Sequence, residues 1–433
     1  MFKTLISNRL ILLTLFPVLL IIQAGCDSIF GTKGDETTDE VFDEGRIDPD
    51  LILDEVGYAA LLPFWEDFVE PTDVFVGYDE LVYITDKVGL HLLDRAGRHY
   101  ETIELDGAVA VTQDRDLNVY VSARFDTVVT AVDEDIEWSL PAIYKFRDIN
   151  KEDPQLVDRV VHPFDDASQP IGSTQRARLD RESPNNDEFV EFTGLAALSD
   201  NTLYATRRGP LNQIGQAVAP DNTMMIFDED SDGTMRNTSQ VRALNPASPS
   251  LISAVGPSAI TTFATPPQSE TVDDDLSFLI AQADTTTSVS FRVLWINAEM
   301  TPDGLEYSPN TELLDTDTSR ADRFLYEEER FREPSGLAFS GDGRGHIFVT
   351  DTATDSLYLF QTSGVEGVNP PAGSTVDRPI SVSFGGTGSG PREFRNPSGV
   401  AYFHPDGSGD PTVFVADTGN DRIARYRLNT DFE

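Results

Sequence analysis

One segment of the sequence has the spacing of a cation site. Asp228, Asp230 and Asp232 alternate in Asp228-Glu-Asp-Ser-Asp-Gly233. This pattern matches the first half of a calcium loop, in which carboxylates converge on a hard cation and a glycine permits the sharp turn. The twelfth position, where such a loop has glutamate, is Ser239. Two interpretations therefore stay open, a calcium site and a solvated acidic hairpin tip.

Histidine, the commonest transition-metal ligand and general base, is scarce. The chain has five histidines: His91, His99, His162, His346 and His404. The sequence predicts a chain of repeated β-rich units, whose residues are given below. None of the five histidines lies in the first strand of such a unit, so a structural role is expected for each. The sequence contains no Gly-x-Ser-x-Gly elbow, His-Glu-x-x-His pair, P-loop or dinucleotide fingerprint. A non-catalytic protein is favoured, although paired carboxylates among 74 acidic residues leave catalysis open.

Three further aspartates recur at one position. Asp86, Asp351 and Asp417 each follow an apolar, β-rich run. A short carboxylate at the end of a strand bonds the backbone N–H groups of the next turn. We expect these aspartates to cap turns rather than to form a site.

Two local basic clusters stand out in the sequence. They are Arg207-Arg208 and the group Arg176, Arg178 and Arg181. Charge balance in an acidic protein explains them, and an anion-binding rim on one face is the alternative.

The charge of the chain excludes one class of partner. Its 433 residues include 32 Lys plus Arg against 74 Asp plus Glu, a formal charge of −42. Such a field repels nucleic acid. Hydrophobic residues make up 39% of the chain, enough for a folded core, and a single cysteine excludes an internal disulfide framework. Strong acidity with five Lys against 27 Arg resembles proteins of salt-loving bacteria.

The N-terminal segment predicts export. Lys3 and Arg9 flank the start of an apolar run at residues 11–22, which is too short to span a bilayer comfortably. Gln23-Ala-Gly-Cys26 resembles a bacterial lipobox, with Gln23 where an apolar residue is usual. This resemblance implies a signal peptide at 1–25, lipidation of Cys26 and anchoring in the bacterial cell envelope, on the periplasmic face or the cell surface. An ordinary signal peptide or a membrane anchor are the alternatives. Residues 26–56, rich in Asp, Glu, Thr and Gly, predict a flexible acidic tether.

The remainder reads as one repeated unit. Two stretches align closely, Phe331-Arg-Glu-Pro-Ser-Gly-Leu-Ala338 and Phe394-Arg-Asn-Pro-Ser-Gly-Val-Ala401. Together with Asp417-Thr-Gly-Asn420 they resemble the NHL-repeat family of β-propeller blades. Six first strands are expected near residues 71, 107, 194, 256, 334 and 397. The fold prediction is all-β, a six-bladed propeller over residues 57–433.

The strand count also predicts how the ring closes. The last repeat ends near residue 428 after its third strand, and only five residues follow. The apolar segment at residues 59–69 is the free candidate for a fourth strand. We expect it to pair with residues 422–428.

Three functions follow from this fold. The favoured one is a monomeric, non-catalytic binding platform for a protein or glycan partner, with no cofactor unless calcium binds. A hydrolase or lyase with a metal in its channel would need three or more His, Glu or Asn side chains converging from the first strands. A sensor of a small ligand would need a closed pocket at the channel mouth.

Overall fold

The computed structural model describes residues 55–131, 134–151, 154–162, 187–214, 220–264, 266, 275–319, 321–405 and 410–432. They form six four-stranded antiparallel sheets, and each sheet is one blade of a β-propeller. The all-β, six-bladed prediction is confirmed. Short runs of Val, Ile, Phe and Tyr form the strands because these residues fit a pleated, half-buried surface.

In each blade the innermost strand lines the axis. These inner strands are β2 (Asp73–Val76), β6 (Ala110–Gln113), β10 (Glu191–Ala197), β14 (Pro257–Thr262), β18 (Pro334–Phe339) and β22 (Pro397–Phe403). They begin within a few residues of the six predicted starts. Each inner strand contacts the inner strands of both neighbouring blades, and β2 contacts β22, so the ring is closed.

The second and third strands carry the buried core of each blade. The second strands are β3 (Val82–Thr85), β7 (Val119–Ala131), β11 (Leu203–Arg208), β15 (Phe278–Gln282), β19 (His346–Asp351) and β23 (Thr412–Asp417). The third strands are β4 (Gly89–Leu93), β8 (Glu134–Arg147), β12 (Thr223–Glu229), β16 (Val293–Thr301), β20 (Ser356–Gln361) and β24 (Arg422–Leu428). Apolar side chains from facing sheets pack between the blades, as where Phe348 stacks on Tyr402 with ring centroids 5.3 Å apart.

The outer strands complete the sheets. They are β5 (His99–Glu104), β9 (Gln155–Val161), β13 (Met235–Gln240), β17 (Gly304–Pro309), β21 (Phe384–Gly385) and β1 (Tyr58–Ala60). The described residues also contain four short 3-10 turns, at Asp187–Phe189, Glu312–Asp315, Thr418–Asn420 and Asn429–Asp431. Within the described part of the chain, no helix is long and apolar enough to cross a membrane.

The N-terminal strand closes the ring as predicted. β1 pairs antiparallel with β24, with Tyr58 opposite Leu428 and Ala60 opposite Tyr426. Pairing continues at Trp65, whose backbone exchanges hydrogen bonds of 3.1 and 2.8 Å with Ile423. The last blade therefore combines three strands from the end of the chain with one from its beginning.

Candidate functional site

A ring of hydroxyl groups joins the starts of the inner strands. In five blades the second residue of the repeat is Ser or Thr, and its hydroxyl donates to the backbone carbonyl that begins the next inner strand. The bonds are Thr72 to Ala108 (3.1 Å), Thr193 to Pro257 (2.8 Å), Ser258 to Pro334 (2.6 Å), Ser335 to Pro397 (2.8 Å) and Ser398 to Pro71 (3.2 Å). The second blade has Val109 at this position and interrupts the ring.

A recurring pair of residues in the sequence indicates where this ring lies. Four of the five hydroxyl residues follow a proline: Pro71-Thr72, Pro257-Ser258, Pro334-Ser335 and Pro397-Ser398. Proline is tolerated at the first residue of a strand because its missing N–H is not needed there. The recurring Pro-Ser/Thr pair therefore marks the start of an inner strand.

At the next position in the inner strands, neighbouring blades approach each other closely. Five blades have Gly or Ala there: Ala110, Gly194, Ala259, Gly336 and Gly399. A Cβ on Gly336 would lie 2.3 Å from the carbonyl oxygen of Ser398 in the next blade. The first blade has Asp73 instead, and a Cβ on Gly399 would lie 2.5 Å from its Oδ1. Asp73 is thus the single exception to a set of small residues.

The Asp73 carboxylate faces two backbone donors. Its Oδ1 accepts from the N–H of Val74 at 2.9 Å and its Oδ2 from the N–H of Val111 in the next blade at 3.0 Å. Burial raises the pKa of Asp73 to about 7, although these two backbone hydrogen bonds lower it in part. This group therefore changes its charge near neutral pH, at the axis of the propeller.

The inner strands surround a cavity of about 330 Å³, to which all six contribute. Its wall combines nine Ser and Thr side chains with small apolar groups such as Val74, Ala196 and Val400. Its charged lining residues are Asp73, Arg208 and Glu333. The wall therefore offers many hydrogen-bonding oxygens and little charge.

The three predicted turn aspartates are fully buried and bond backbone donors. Asp86 accepts from the N–H groups of Val69 (2.8 Å), Val88 (2.7 Å) and Gly89 (3.1 Å). Asp351 accepts from four, those of Arg332 (2.6 Å), Glu333 (3.2 Å), Ala353 (3.0 Å) and Thr354 (3.1 Å). Asp417 accepts from the N–H of Arg395 at 2.7 Å and from Arg422 Nε at 2.7 Å. They lie apart, one in each of three blades, rather than in one cluster.

In the third and fourth blades, the position that corresponds to the turn aspartates holds another residue. In the fourth blade Gln282 accepts from the N–H of Val255 at 2.8 Å and donates to Ser253 and Phe291. In the third blade Arg207 is fully buried and donates to the carbonyls of Asp221 (3.2 Å) and Pro220 (2.9 Å). The strand register identifies both residues, because Gln282 lies opposite Pro257, the first residue of β14, and Arg207 lies opposite Phe192, the second residue of β10.

Burial and hydrogen-bond partners shift the pKa values of two of these aspartates in opposite directions. For Asp86, burial favours the neutral form, but the His91 contact and the backbone donors outweigh it and lower its pKa. For Asp417, burial outweighs its hydrogen bonds and raises its pKa.

The predicted calcium residues are not assembled as one coordination group. Asp228 accepts from the Thr202 hydroxyl at 3.2 Å, Asp230 pairs with Arg236, and Asp232 accepts from the Thr234 N–H at 3.1 Å. No group of three or more His, Cys, Asp or Glu side chains in the described ranges is placed to hold a metal. Calcium binding stays a prediction.

The same hairpin joins two blades through a buried lysine. Lys145, fully buried on β8, contacts Glu229 Oε2 and lies 3.4 Å from the carbonyl oxygen of Gly233. Its ammonium also lies 5.7 Å from the Tyr120 ring centroid. A cation of the neighbouring blade therefore neutralises part of this acidic turn.

The five histidines lie away from the inner strands. His91 and His99 are on the third and outer strands of the first blade, His346 opens β19, and His404 follows β22. His162 is fully buried beside Asp187, with Nε2 3.1 Å from the Asp187 Oδ1. They do not converge on the channel.

The remaining predicted residues divide between described and undescribed parts. Arg207 is buried and cannot form a surface rim, whereas Arg208 pairs with Glu191 at 2.8 Å. Arg176, Arg178 and Arg181 lie outside the described residues. The predicted signal peptide at 1–25, the predicted lipidation site Cys26 and nearly all of the predicted tether at 26–56 also lie outside the described residues.

The sheet order and the axial cavity define a six-bladed β-propeller. No protein-family model matches the chain, and no curated protein matches it. Solved structures resemble it distantly. A protein of unknown function from Bacteroides thetaiotaomicron is 16% identical, covering 88% of this chain and 73% of its own, with a TM-score of 0.44.

Two further similar structures are a calcium-binding protein and a lyase. Regucalcin from Agrobacterium tumefaciens, described as a calcium-binding protein, is 11% identical over 84% of this chain and 92% of its own, with a TM-score of 0.44. A streptogramin B lyase is 12% identical over 86% and 97%, with a TM-score of 0.39. At these values the resemblances carry no argument about function, and the NHL relationship stays a prediction.

Proposed function

We propose that this protein is a non-catalytic binding protein of the bacterial cell envelope, and that its central channel receives a neutral, hydroxyl-rich ligand such as the end of a glycan. The observation that carries the proposal is the ring of hydroxyls. Five Ser and Thr side chains already donate their only hydroxyl proton to a neighbouring carbonyl. Each oxygen keeps lone pairs, so the ring accepts hydrogen bonds and favours a ligand that donates them.

The residues that line the cavity and the net charge of the chain restrict the class of ligand. The cavity of about 330 Å³ is within the range of small-molecule sites. A net charge of −42 disfavours anionic ligands. Among the described residues of the wall, Asp73 and Glu333 are the carboxylates that a cationic ligand could pair with, and most of the wall is uncharged. Small apolar side chains between the hydroxyls suit the C–H faces of a sugar ring. The single exceptional carboxylate, Asp73, has a pKa of about 7 and supplies a charged, stronger acceptor above that pH.

The test is a panel of sugars with charged comparators. Glucose, galactose, mannose and maltose are compared with glucuronate and spermidine by thermal shift and titration calorimetry. At a pH above the Asp73 pKa of about 7, at least one neutral sugar is expected to bind, and D73N is expected to weaken its binding about tenfold through loss of a charged acceptor. D303N, an exposed change between β16 and β17, is the matched control. Binding only of spermidine or glucuronate, or turnover of a sugar, contradicts the proposal.

Membrane attachment is a separate part of this proposal. It is supported by the charged start, the apolar run at 11–22 and the single cysteine at position 26. Two lipid signals hold a protein stably at a bilayer, since each buried CH₂ adds about 0.8 kcal/mol. C26S is expected to move the protein from the membrane fraction to the soluble fraction of a bacterial host. Equal partition of C26S and the wild type contradicts lipidation.

A further inference from the structure

Two histidines of the first blade point their ring nitrogens at one atom. His91, on β4, lies opposite Thr102 on β5, and His99 begins the same outer strand. The Thr102 Oγ1 lies 3.0 Å from His91 Nδ1 and 2.8 Å from His99 Nε2. The two ring centroids are 5.9 Å apart. The two nitrogens therefore converge on the position of this hydroxyl.

The other nitrogen of His91 is held by a buried carboxylate. His91 Nε2 lies 2.8 Å from Asp86 Oδ1, and their side chains are 9% and 0% exposed. Backbone N–H groups of Val88 and Gly89 fix the same oxygen. Metal-ligating histidines commonly direct their second nitrogen to a carboxylate, which sets the ring orientation and raises the basicity of the ligating nitrogen. With Nε2 held by Asp86, His91 Nδ1 faces the Thr102 hydroxyl, which His99 Nε2 also contacts.

The sixth blade shows that the turn does not require a histidine. There the residue five positions after the capping Asp417 is Arg422, which bonds it at 2.7 Å. The other guanidinium nitrogens of Arg422 donate to the carbonyls of Ser389 (2.8 Å) and Glu393 (3.0 Å). An arginine thus satisfies the cap and makes all its further hydrogen bonds to backbone carbonyls, whereas His91 directs its second nitrogen at a hydroxyl that it shares with His99.

The pair of histidines is open to solvent on one side. His91 is 7% exposed and lies edge-on to Phe68 at a centroid distance of 5.4 Å. His99 is exposed. An ion between them would have one rigid ligand, one mobile ligand and access to water for its remaining positions.

We propose that His91 Nδ1 and His99 Nε2 bind one divalent transition metal ion, Zn²⁺ or Cu²⁺, with Asp86 as a positioning residue. Imidazole nitrogen suits both ions, with bonds of about 2.0–2.1 Å to Zn²⁺. These bonds are shorter than the distances to the hydroxyl, so the ion takes the place of the Thr102 hydroxyl, which rotates away or becomes a weak ligand. This site is on the outer strands and is independent of the channel ligand.

The experiment uses the untagged protein with Cu²⁺ followed by electron paramagnetic resonance and Zn²⁺ followed by calorimetry. One Cu²⁺ per chain with hyperfine coupling to two nitrogens is expected. Copper held by the many surface carboxylates lacks this nitrogen coupling. H99Q, a change at an exposed position, is expected to weaken Zn²⁺ binding at least tenfold and to remove one nitrogen coupling.

Two further variants decide between a metal site and a hydrogen-bonded chain. T102V removes the competing hydroxyl and is expected to retain the metal with equal or higher affinity. H404Q, a change in a histidine after β22, is expected to leave binding unchanged. The proposal is overturned if wild type binds no better than H99Q, if no two-nitrogen signal appears, or if H404Q lowers affinity as much as H99Q.

Discussion

Tyr58 lies opposite Leu428 in the sixth sheet, so residues from the two ends of the propeller are neighbouring strand partners. The backbone of Gly57 and both the backbone and side chain of Asn429 extend this contact, with hydrogen bonds of 2.9 and 3.1 Å. Closing the ring through one blade couples the stability of the whole propeller to a short N-terminal segment.

Trp65 is expected to be a major contributor to this closure. It is 8% exposed, its ring centroid lies 5.5 Å from that of Phe414, and the Arg425 guanidinium lies 4.7 Å from its ring. W65A should lower the free energy of unfolding by about 3–5 kcal/mol, as for other buried aromatic residues. Urea denaturation measures this, with Y100A, which removes an aromatic ring that is 62% exposed, as the control. Equal effects of the two changes would show that the closing segment adds little.

Asp351 is expected to stabilise its turn strongly, since it accepts from four backbone N–H groups. D351N replaces one acceptor oxygen with an NH₂ group and leaves two partly buried backbone donors without their acceptor. The cost should be at least about 2 kcal/mol. Thermal or urea unfolding measures it, and D303N makes the same chemical change at an exposed turn. A D351N protein as stable as D303N would refute the capping role.

The strand order, the closing strand and the turn aspartates could be predicted because repetition exposes them. Phe331–Ala338 and Phe394–Ala401 align residue by residue, and a blade with three strands requires a fourth. The hydroxyl ring could also have been predicted, because the Pro-Ser/Thr pairs recur at the starts of four inner strands. The contact of Lys145 with Glu229 was not, because it joins two blades through residues 84 positions apart. The convergence of His91 and His99 depends on a bulge in the β4–β5 register, which sequence spacing does not reveal.

The raised pKa of Asp73 predicts a pH dependence of stability. Its pKa is about 7 in the folded protein and near 3.8 when unfolded. Between these values the folded state holds a proton that the unfolded state has released, so this group makes the protein less stable as the pH rises from about 4 to 7. The slope is at most about 1.4 kcal/mol per pH unit for one group.

D73N removes this titration. The difference in unfolding free energy between D73N and wild type is expected to shift in favour of D73N as the pH rises across that range, and to level off above pH 7. Parallel curves for the two proteins between pH 4 and 7 would mean that Asp73 titrates alike in both states.

The Lys145–Glu229 contact predicts an asymmetric pair of mutations. Lys145 is fully buried, whereas the Glu229 side chain is 30% exposed. E229M leaves a buried ammonium without its partner and should cost more than K145M, which leaves a carboxylate that reaches water. Both costs should be below the about 3–5 kcal/mol typical of fully buried pairs. The double variant should cost less than the sum of the two single changes, measured by urea unfolding. Additive costs would show that the two groups do not interact.

The charge of −42 predicts that salt stabilises the fold. Repulsion between surface carboxylates is screened within about 10 Å at 0.1 M salt and within about 3 Å at 1 M. The melting temperature should therefore rise between 0.1 M and multimolar salt. Equal melting temperatures would contradict an adaptation to high ionic strength.

Hydrogen–deuterium exchange in the presence of a neutral sugar tests the central claim most directly, because it locates the ligand. With the sugar that gives the largest thermal shift, protection is expected in the inner strands, foremost in β2 around Asp73 and in β18 around Ser335. It should be weaker in D73N at the same sugar concentration. Protection confined to outer strands or surface loops, with inner strands unchanged, would contradict binding in the channel.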